Sequence, residues 1–462
     1  VRLLSMLGAE DMPRGASIAI DSTALGFSAL VAVLSGLAFG SIPVFHLFRR
    51  DLNAVFRQTE RSGTAQRHAV WTRSALVVCQ VSLAFVLLAG AGLLTASFAR
   101  LLSVDPGFKA EQVLSARFSM PSPRYDDDAR ARAFASTLLE RVRAIPGVKA
   151  AGATTYLPFG GNQNASAITI VGYALGPGET PPVPGYNYID AGYLEALSIP
   201  ILQGRSFSES DGPDSRRVVI IDEFMARKYW PKRNAIGGQL RRYMSEEDKP
   251  WTIVGVAGMV KTGNLAEQNP VGHIYFPMQQ APQRTMHLVV KTHRPDPQVA
   301  SAIRRELVRS DAELALFDVK TMPERLAASV ADRKAAMVLC VSFGILALLL
   351  SAIGIYGVLA YAVAQRTREF GIRVALGASV KDVLGMVVGQ GVKLAAVGLA
   401  IGAVAAVALT RLMTTLLYGV EPGDPRVFAT VTVLLAVVAL LASFIPSVRA
   451  LRIRPGVALR YE

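Results

Sequence analysis

Cysteine is almost absent from this chain, with two in 462 residues, Cys79 and Cys340. Both fall inside long apolar runs, so no disulfide framework holds the polar stretch between them, and the thiols read as small apolar packing residues. Charge is scarce too. Only 18% of residues are Asp, Glu, Lys or Arg, against about 25% in an ordinary soluble domain, which excludes a wholly soluble protein. The five histidines are scattered, and no His/Cys group has metal-ligand spacing. G-x-x-x-x-G-K-[S/T] is missing, and with it the amides and lysine that cradle nucleotide phosphates. Hydrolysis of ATP is therefore not expected, nor is any catalytic residue, metal site or cofactor.

What the chain has instead is long hydrophobic runs. Its mean hydropathy is +0.35 and 51% of its residues are hydrophobic. About 20 apolar residues cross a bilayer. Five stretches qualify: Ala24–Phe48, Ser74–Ala99, Ala335–Gln365, Val387–Thr410 and Val427–Val448. Between the second and third lie residues 100–334, of mixed charge and ample for a water-soluble domain.

Charge sets the orientation. Arg49–Arg73 holds six arginines against Asp51 and Glu60, residues 366–381 hold Arg366, Arg368, Arg373 and Lys381, and the tail holds Arg449, Arg452, Arg454 and Arg460. In the loop 411–426, Arg411 and Arg426 are offset by Glu421 and Asp424. Positive loops stay in the cytoplasm. The 49–73 loop, the 366–381 loop and the C-terminus are therefore expected inside, and residues 100–334 outside. The net charge of +14 follows from this topology, and no nucleic-acid partner is needed to explain it.

Asp21–Arg57 and Asp424–Arg460 repeat each other without a gap. Each starts at an Asp, runs through an apolar span, carries Ile-Pro at the same offset (Ile42-Pro43, Ile445-Pro446) and ends in arginines, Arg49 and Arg57 matching Arg452 and Arg460. Repeated units within one chain are common in transporters. Residues 1–57 read as the tail of a first permease unit, 58–73 as a cytoplasmic linker, 74–99 as the stem span of a second unit, 100–334 as its outer domain, and 335–462 as its membrane domain. Val1 is not a methionine and no signal peptide is present, so the start reads as an internal position.

In the outer domain the patterns predict strands at Val113–Ser119, Val148–Thr154, Ile168–Val171, Val218–Ile221, Trp251–Val256, His287–Lys291 and Leu314–Val319. Helices are expected at Asp126–Ile145, Glu223–Tyr229, Val299–Arg309 and Met322–Val330, the first opened by the carboxylates of Asp126–Asp128. Short elements in mixed order indicate an α+β domain. Pro158–Gly185, rich in Gly and Pro, reads as a loop. In the spans, Gly36/Gly40 and Gly398/Gly402 are small-xxx-small pairs, and Gly90/Gly92 and Gly354/Gly357 are close relatives.

The stem ALVVCQVSLAFVLLAGAGLLTASFARLLSVDPGF (Ala75–Phe108) is followed by YLEALSIPILQGRSF (Tyr193–Phe207), VVIIDEFMARKYWP (Val218–Pro231), IGG (Ile236–Gly238), IVGVAG (Ile253–Gly258) and RTREFGIRVALGAS (Arg366–Ser379). In this order the motifs resemble the MacB/FtsX-type ABC transporter permeases, and within them the C-terminal portion of the duplicated-permease subfamily. The resemblance implies a polytopic α-helical membrane protein with a large extracytoplasmic α+β domain, the MacB-like periplasmic core domain, in a bacterial inner membrane. It implies a permease subunit that couples ATP hydrolysis by a separate subunit to motion of the periplasmic domain, in export or efflux. The alternative is a non-transporting signalling or scaffold protein that regulates an envelope enzyme. Implied partners are a cytoplasmic ABC ATPase, a missing N-terminal permease half or second permease, a periplasmic adaptor and membrane lipid.

The expected ATPase-coupling segment is Arg366, Arg368, Glu369, Phe370, Gly371, Ile372, Arg373, Leu376, Gly377 and Ala378. Phe370, Ile372 and Leu376 can form an apolar ridge flanked by charge, which suits a helix seated in a partner's groove. A surface helix on anionic lipid is the competing reading.

Overall fold

The computed structural model describes residues 22–48, 63–242, 249–267, 270–294, 297–365, 379–414 and 416–451. The chain divides into a mixed unit, Ser103–Ala331, and a helical unit drawn from the residues before and after it.

Two helices precede the mixed unit, α1 (Ser22–Phe48) and α2 (Gly63–Leu102). Inside it come β1 (Val113–Ser119), α3 (Asp128–Arg143), β2 (Val148–Thr154), β3 (Asn164–Ala165), β4 (Ile168–Ile170), β5 (Gly185–Ile189), α4 (Tyr193–Ala196), β6 (Ile201–Gly204), β7 (Val218–Asp222) and α5 (Glu223–Tyr229). Then follow β8 (Gln239–Arg242), β9 (Trp251–Ala257), β10 (His273–Pro277), β11 (Thr285–Thr292), α6 (Pro297–Ser310), β12 (Phe317–Thr321) and α7 (Met322–Ser329). The strands form one 12-stranded sheet in the order β12-β1-β11-β2-β5-β10-β7-β9-β8-β4, with β3 on β5 and β6 on β9.

The sheet carries two lobes. In the first, β1, β2, β11 and β12 pair antiparallel, and α3 and α6 cover them around Phe118, Leu138, Leu288, Ile303 and Leu307. In the second, β7 and β9 run parallel, and Val219, Ile221, Met225, Leu240 and Ile253 form the core. All of β7 is buried, as expected of a β-branched run covered on both faces. The lobes meet where β2 pairs with β5 at one position, Thr154↔Ile189.

Asp127 caps α3 by accepting from the Ala129 amide at 2.9 Å, so the helix starts two residues after Asp126. The strand expected at Leu314–Val319 lies instead at Phe317–Thr321, because Leu314 is taken into the first lobe's core. The strands β5, β6, β8 and β10 have no clear period-2 pattern and were not foreseen. Strand β4 lies where a strand was expected at Ile168–Val171, and the short strand β3 lies within the segment otherwise read as a loop.

Three helices follow the mixed unit: α8 (Ala331–Gln365), α9 (Val380–Thr410) and α10 (Pro425–Leu451). Four stretches among the described residues are long and apolar enough to cross a membrane: Trp71–Leu102, Ala331–Gln365, Leu384–Met413 and Pro425–Val448. The fifth expected span lies in α1, whose shorter apolar stretch is Leu25–Leu37.

Candidate functional site

The coupling segment Arg366–Ala378 lies outside the described residues; its two flanks do not. Helix α8 runs to Gln365, whose side-chain amide donates to the Tyr361 hydroxyl at 2.5 Å. The Arg73 guanidinium of α2 stacks over the Tyr361 ring, 3.9 Å from its centroid. Beyond the segment, α9 opens with a capping box: Ser379 Oγ accepts from the Asp382 amide at 3.3 Å, and the Asp382 carboxylate accepts from the Ser379 amide at 3.1 Å. That reciprocal pair satisfies donors an isolated helix start would leave open.

Between its ends the bundle is packed through glycine. A Cβ on Gly402 of α9 would lie 2.7 Å from Phe85 Cβ and 2.9 Å from the Ser82 carbonyl of α2, and one on Gly398 would lie 2.7 Å from Val81. These two glycines let the helix backbones approach closely. Ser82 Oγ donates to the Gly398 carbonyl at 2.9 Å as well as to its own helix at Val78. Gly344 and Gly354 of α8 face Leu88 and Gln80 of α2, and Ser351 Oγ of α8 donates to the Gln80 carbonyl at 3.0 Å. Among the described residues, Gly36 and Gly357 have nothing within 4 Å of the position a Cβ would take, so those two mark no contact there.

Helix α2 thus sits against both α8 and α9. It has 40 residues, about 60 Å at 1.5 Å per residue, and ends at Leu102, the residue before the mixed unit begins. Helix α8 starts at Ala331, where that unit ends. The mixed unit therefore leaves and re-enters the helical unit through two unbroken helices that are hydrogen-bonded to each other.

Inside the mixed unit, the joint between lobes is held by Asp190, directly after β5. Its carboxylate accepts from the Ala153 amide at 2.6 Å, the Gly192 amide at 3.0 Å and the Arg143 guanidinium at 2.6 Å. Burial raises the Asp190 pKa against the pull of those donors. Asp211 makes a second clasp, its two oxygens accepting from the Arg205 fork at 2.6 and 2.7 Å. Burial pushes that carboxyl up, but Arg205 and the Ser208 amide outweigh it and leave the pKa lowered. Sequence reasoning passed over both aspartates; no local pattern marks them. Among the described residues no group of three or more His, Cys, Asp or Glu is placed to hold a metal. Asp127 and Asp128 serve the helix start, with Asp128 also paired to Arg284 at 2.7 Å, whereas the Asp126 carboxylate accepts from Ser122 Oγ instead.

The sequence matches the MacB-like periplasmic core domain over residues 74–306 and the FtsX-like permease C-terminal family over residues 341–455. The chain belongs to the MacB/FtsX-type ABC transporter permeases. This permease is 24% identical over 292 residues to the uncharacterized ABC transporter permease YvrN of Bacillus subtilis, covering 59% of the chain and 69% of that protein. It is 25% identical over 285 residues to the pyoverdine export ATP-binding/permease protein PvdT of Pseudomonas putida, covering 58% of the chain and 42% of that protein. Among solved structures, the periplasmic region of MacB from Actinobacillus actinomycetemcomitans matches with a TM-score of 0.32 and 15% identity, over 49% of the chain and 95% of that structure. The permease is a multi-pass membrane protein whose mixed unit is the MacB-like periplasmic core domain.

Proposed function

We propose that this permease transmits force: ATP hydrolysis in a separate cytoplasmic ABC ATPase moves the periplasmic core domain, driving export or efflux. The observation that carries the reading is the pair of unbroken helices, α2 and α8, that bracket the core domain and are tied together by the Ser351–Gln80 hydrogen bond. A helix with its backbone bonds intact transmits displacement along its axis, whereas a flexible connection absorbs it. The chain lacks a phosphate loop, so in this reading the nucleotide is bound and hydrolysed by the partner.

The ATPase would dock on residues 366–378 at the inner face of a bacterial inner membrane, with the C-terminus in the cytoplasm. Ser379 and Asp382 on one flank, and Tyr361, Gln365 and Arg73 on the other, support a fixed exit and entry for that segment. The reading of residues 1–57 as the tail of a first permease unit draws support from α1 and α10. Each has 27 residues, starts one residue after the aligned Asp21 or Asp424, and carries the aligned proline within it.

Leu376→Asp places a charge on the proposed apolar ridge, where desolvation without a partner costs several kcal/mol, and Arg373→Glu reverses a flanking charge. Both variants are expected to insert normally yet lose co-purification with the ATPase, or uncouple its hydrolysis, while the exposed control Lys232→Glu behaves as wild type. Wild-type association in both segment variants would overturn the docking assignment and leave the segment as a lipid-facing helix.

A further inference from the structure

The helical unit holds a cavity of about 100 Å³ at the end nearest the core domain in the chain, walled by Leu94 and Phe98 of α2, Ala336 of α8, and Leu416. Asp332 and Arg333, from the first turn of α8, also border it. The Arg333 Nη1 atom is buried and has no hydrogen-bond partner. A buried guanidinium N–H without an acceptor costs free energy, and an anion is the partner that removes the cost. Ser97, which also lines the cavity, is already engaged, accepting from the Tyr418 amide at 2.7 Å.

Depth identifies the anion. The charge-free run of α8 starts at Ala335, two residues after Arg333. Arg333 and Lys334 are the charges that end this run, and in the orientation expected from the basic loops they lie on its extracytoplasmic side, where lipid headgroups begin. There a phosphate sits directly above acyl chains. The cavity has the same two-part chemistry, a buried Arg333 Nη1 without an acceptor beside the apolar side chains of Leu94, Phe98, Ala336 and Leu416. Arginine suits phosphate because its planar fork matches two oxygens. Asp332 is exposed to solvent and favours the α8 N-terminus, so it does not supply the missing acceptor.

We propose that this cavity binds an anionic phospholipid of the extracytoplasmic leaflet, its phosphate on Arg333 and the start of an acyl chain against the four apolar residues. The site is independent of the coupling segment, so failure of the coupling tests leaves it standing.

The purified 462-residue chain, equilibrated with equal amounts of phosphatidylglycerol and phosphatidylcholine, is examined by native mass spectrometry for the first lipid retained. Wild type is expected to favour phosphatidylglycerol about fivefold, the factor one basic residue supplies at an anionic surface. Arg333→Gln should abolish the preference and Arg333→Lys should keep it. Ala336→Trp, which fills the cavity and leaves Arg333 intact, should lower retention of the first lipid at an unchanged thermal midpoint. An undiminished preference in Arg333→Gln overturns the proposal, as does full retention in Ala336→Trp. Inorganic phosphate is the remaining arm. If it stabilises wild type, but not Arg333→Gln, as strongly as phosphatidylglycerol does, the site takes a free anion and the lipid assignment is wrong.

Discussion

Gly402 and the two buried histidines show how much single side chains settle in this permease. Gly402→Leu would drive a side chain into the Ser82 backbone at a point where the gap is already closed. Overpacking of this kind costs about 1–3 kcal/mol, so the variant should lower the thermal midpoint of the detergent-solubilised protein. Gly36→Ala, with open space around it, should leave the midpoint unchanged. His273 and His287 are buried, and burial lowers both pKa values from 6.5 to about 4, with Arg325 and Arg117 adding to the effect at His287. Between those pH values the unfolded chain takes up protons that the folded core domain refuses. The stabilisation is present above pH 6.5 and is lost as the pH falls through 4. Asp222 works the other way: burial raises its pKa from 3.8 to about 6, so its contribution is present below 3.8 and lost as the pH rises through 6. Replacing both histidines with Gln should therefore make the core domain less sensitive to acidification from pH 6.5 to 4. Denaturant midpoints followed by Trp230 and Trp251 fluorescence check this; an unchanged pH slope would show that the imidazoles titrate alike in the folded and unfolded chain.

Among the elements, α2 carries the most consequence. It touches α8 through Ser351 and α9 through Ser82, and it continues without a break to the edge of the core domain. The force-transmission reading depends on that continuity. Four glycines inserted between Leu102 and Ser103 should leave both units folded and the ATPase bound, because neither core is touched. Motion should fail to reach the core domain. The readout is the labelling rate of a cysteine placed at Ser206, measured with and without ATP in the presence of the ATPase. The rate should respond to ATP in the uninterrupted protein and not in the insertion variant. An equal response in both would mean that α2 is only an anchor.

At the scale of the whole molecule, the orientation follows from charge and is open to a direct check. In a background lacking Cys79 and Cys340, an impermeant reagent outside intact cells should label a cysteine at Ser206 and spare one at Ser379. The opposite pattern would invert the protein and remove the basis for an ATPase on the 366–378 side. The core domain adds its own large-scale feature. Its two lobes share one sheet but are paired between β2 and β5 at one position, beside the Asp190 clasp.

The membrane helices could be read from the sequence because hydrophobicity acts over many residues at once. A run such as Ala335–Gln365 has no soluble alternative, but the helices outrun the apolar runs: α2 starts at Gly63, 11 residues before the expected span, and α9 starts directly after its Ser379 cap, seven residues before Val387. The strand β7 and the helices α3 and α5 were legible for a similar reason, with strong local patterns and, at Asp127 and Asp222, capping side chains that act within three residues. Tertiary structure alone decided the rest. Strands β5, β6, β8 and β10 are short, and their extended form is held by partners distant in sequence, as when His273–Pro277 pairs with Gly185–Ile189. Which glycines matter was undecided as well, because a glycine in a span looks the same whether it faces lipid or another helix. Gly402 and Gly36 differ only in what lies opposite. Asp190 and Arg333 gave no local sign for the same reason: one gains its role from an amide in β2, and the other from a cavity built by residues as far apart as Leu94 and Leu416.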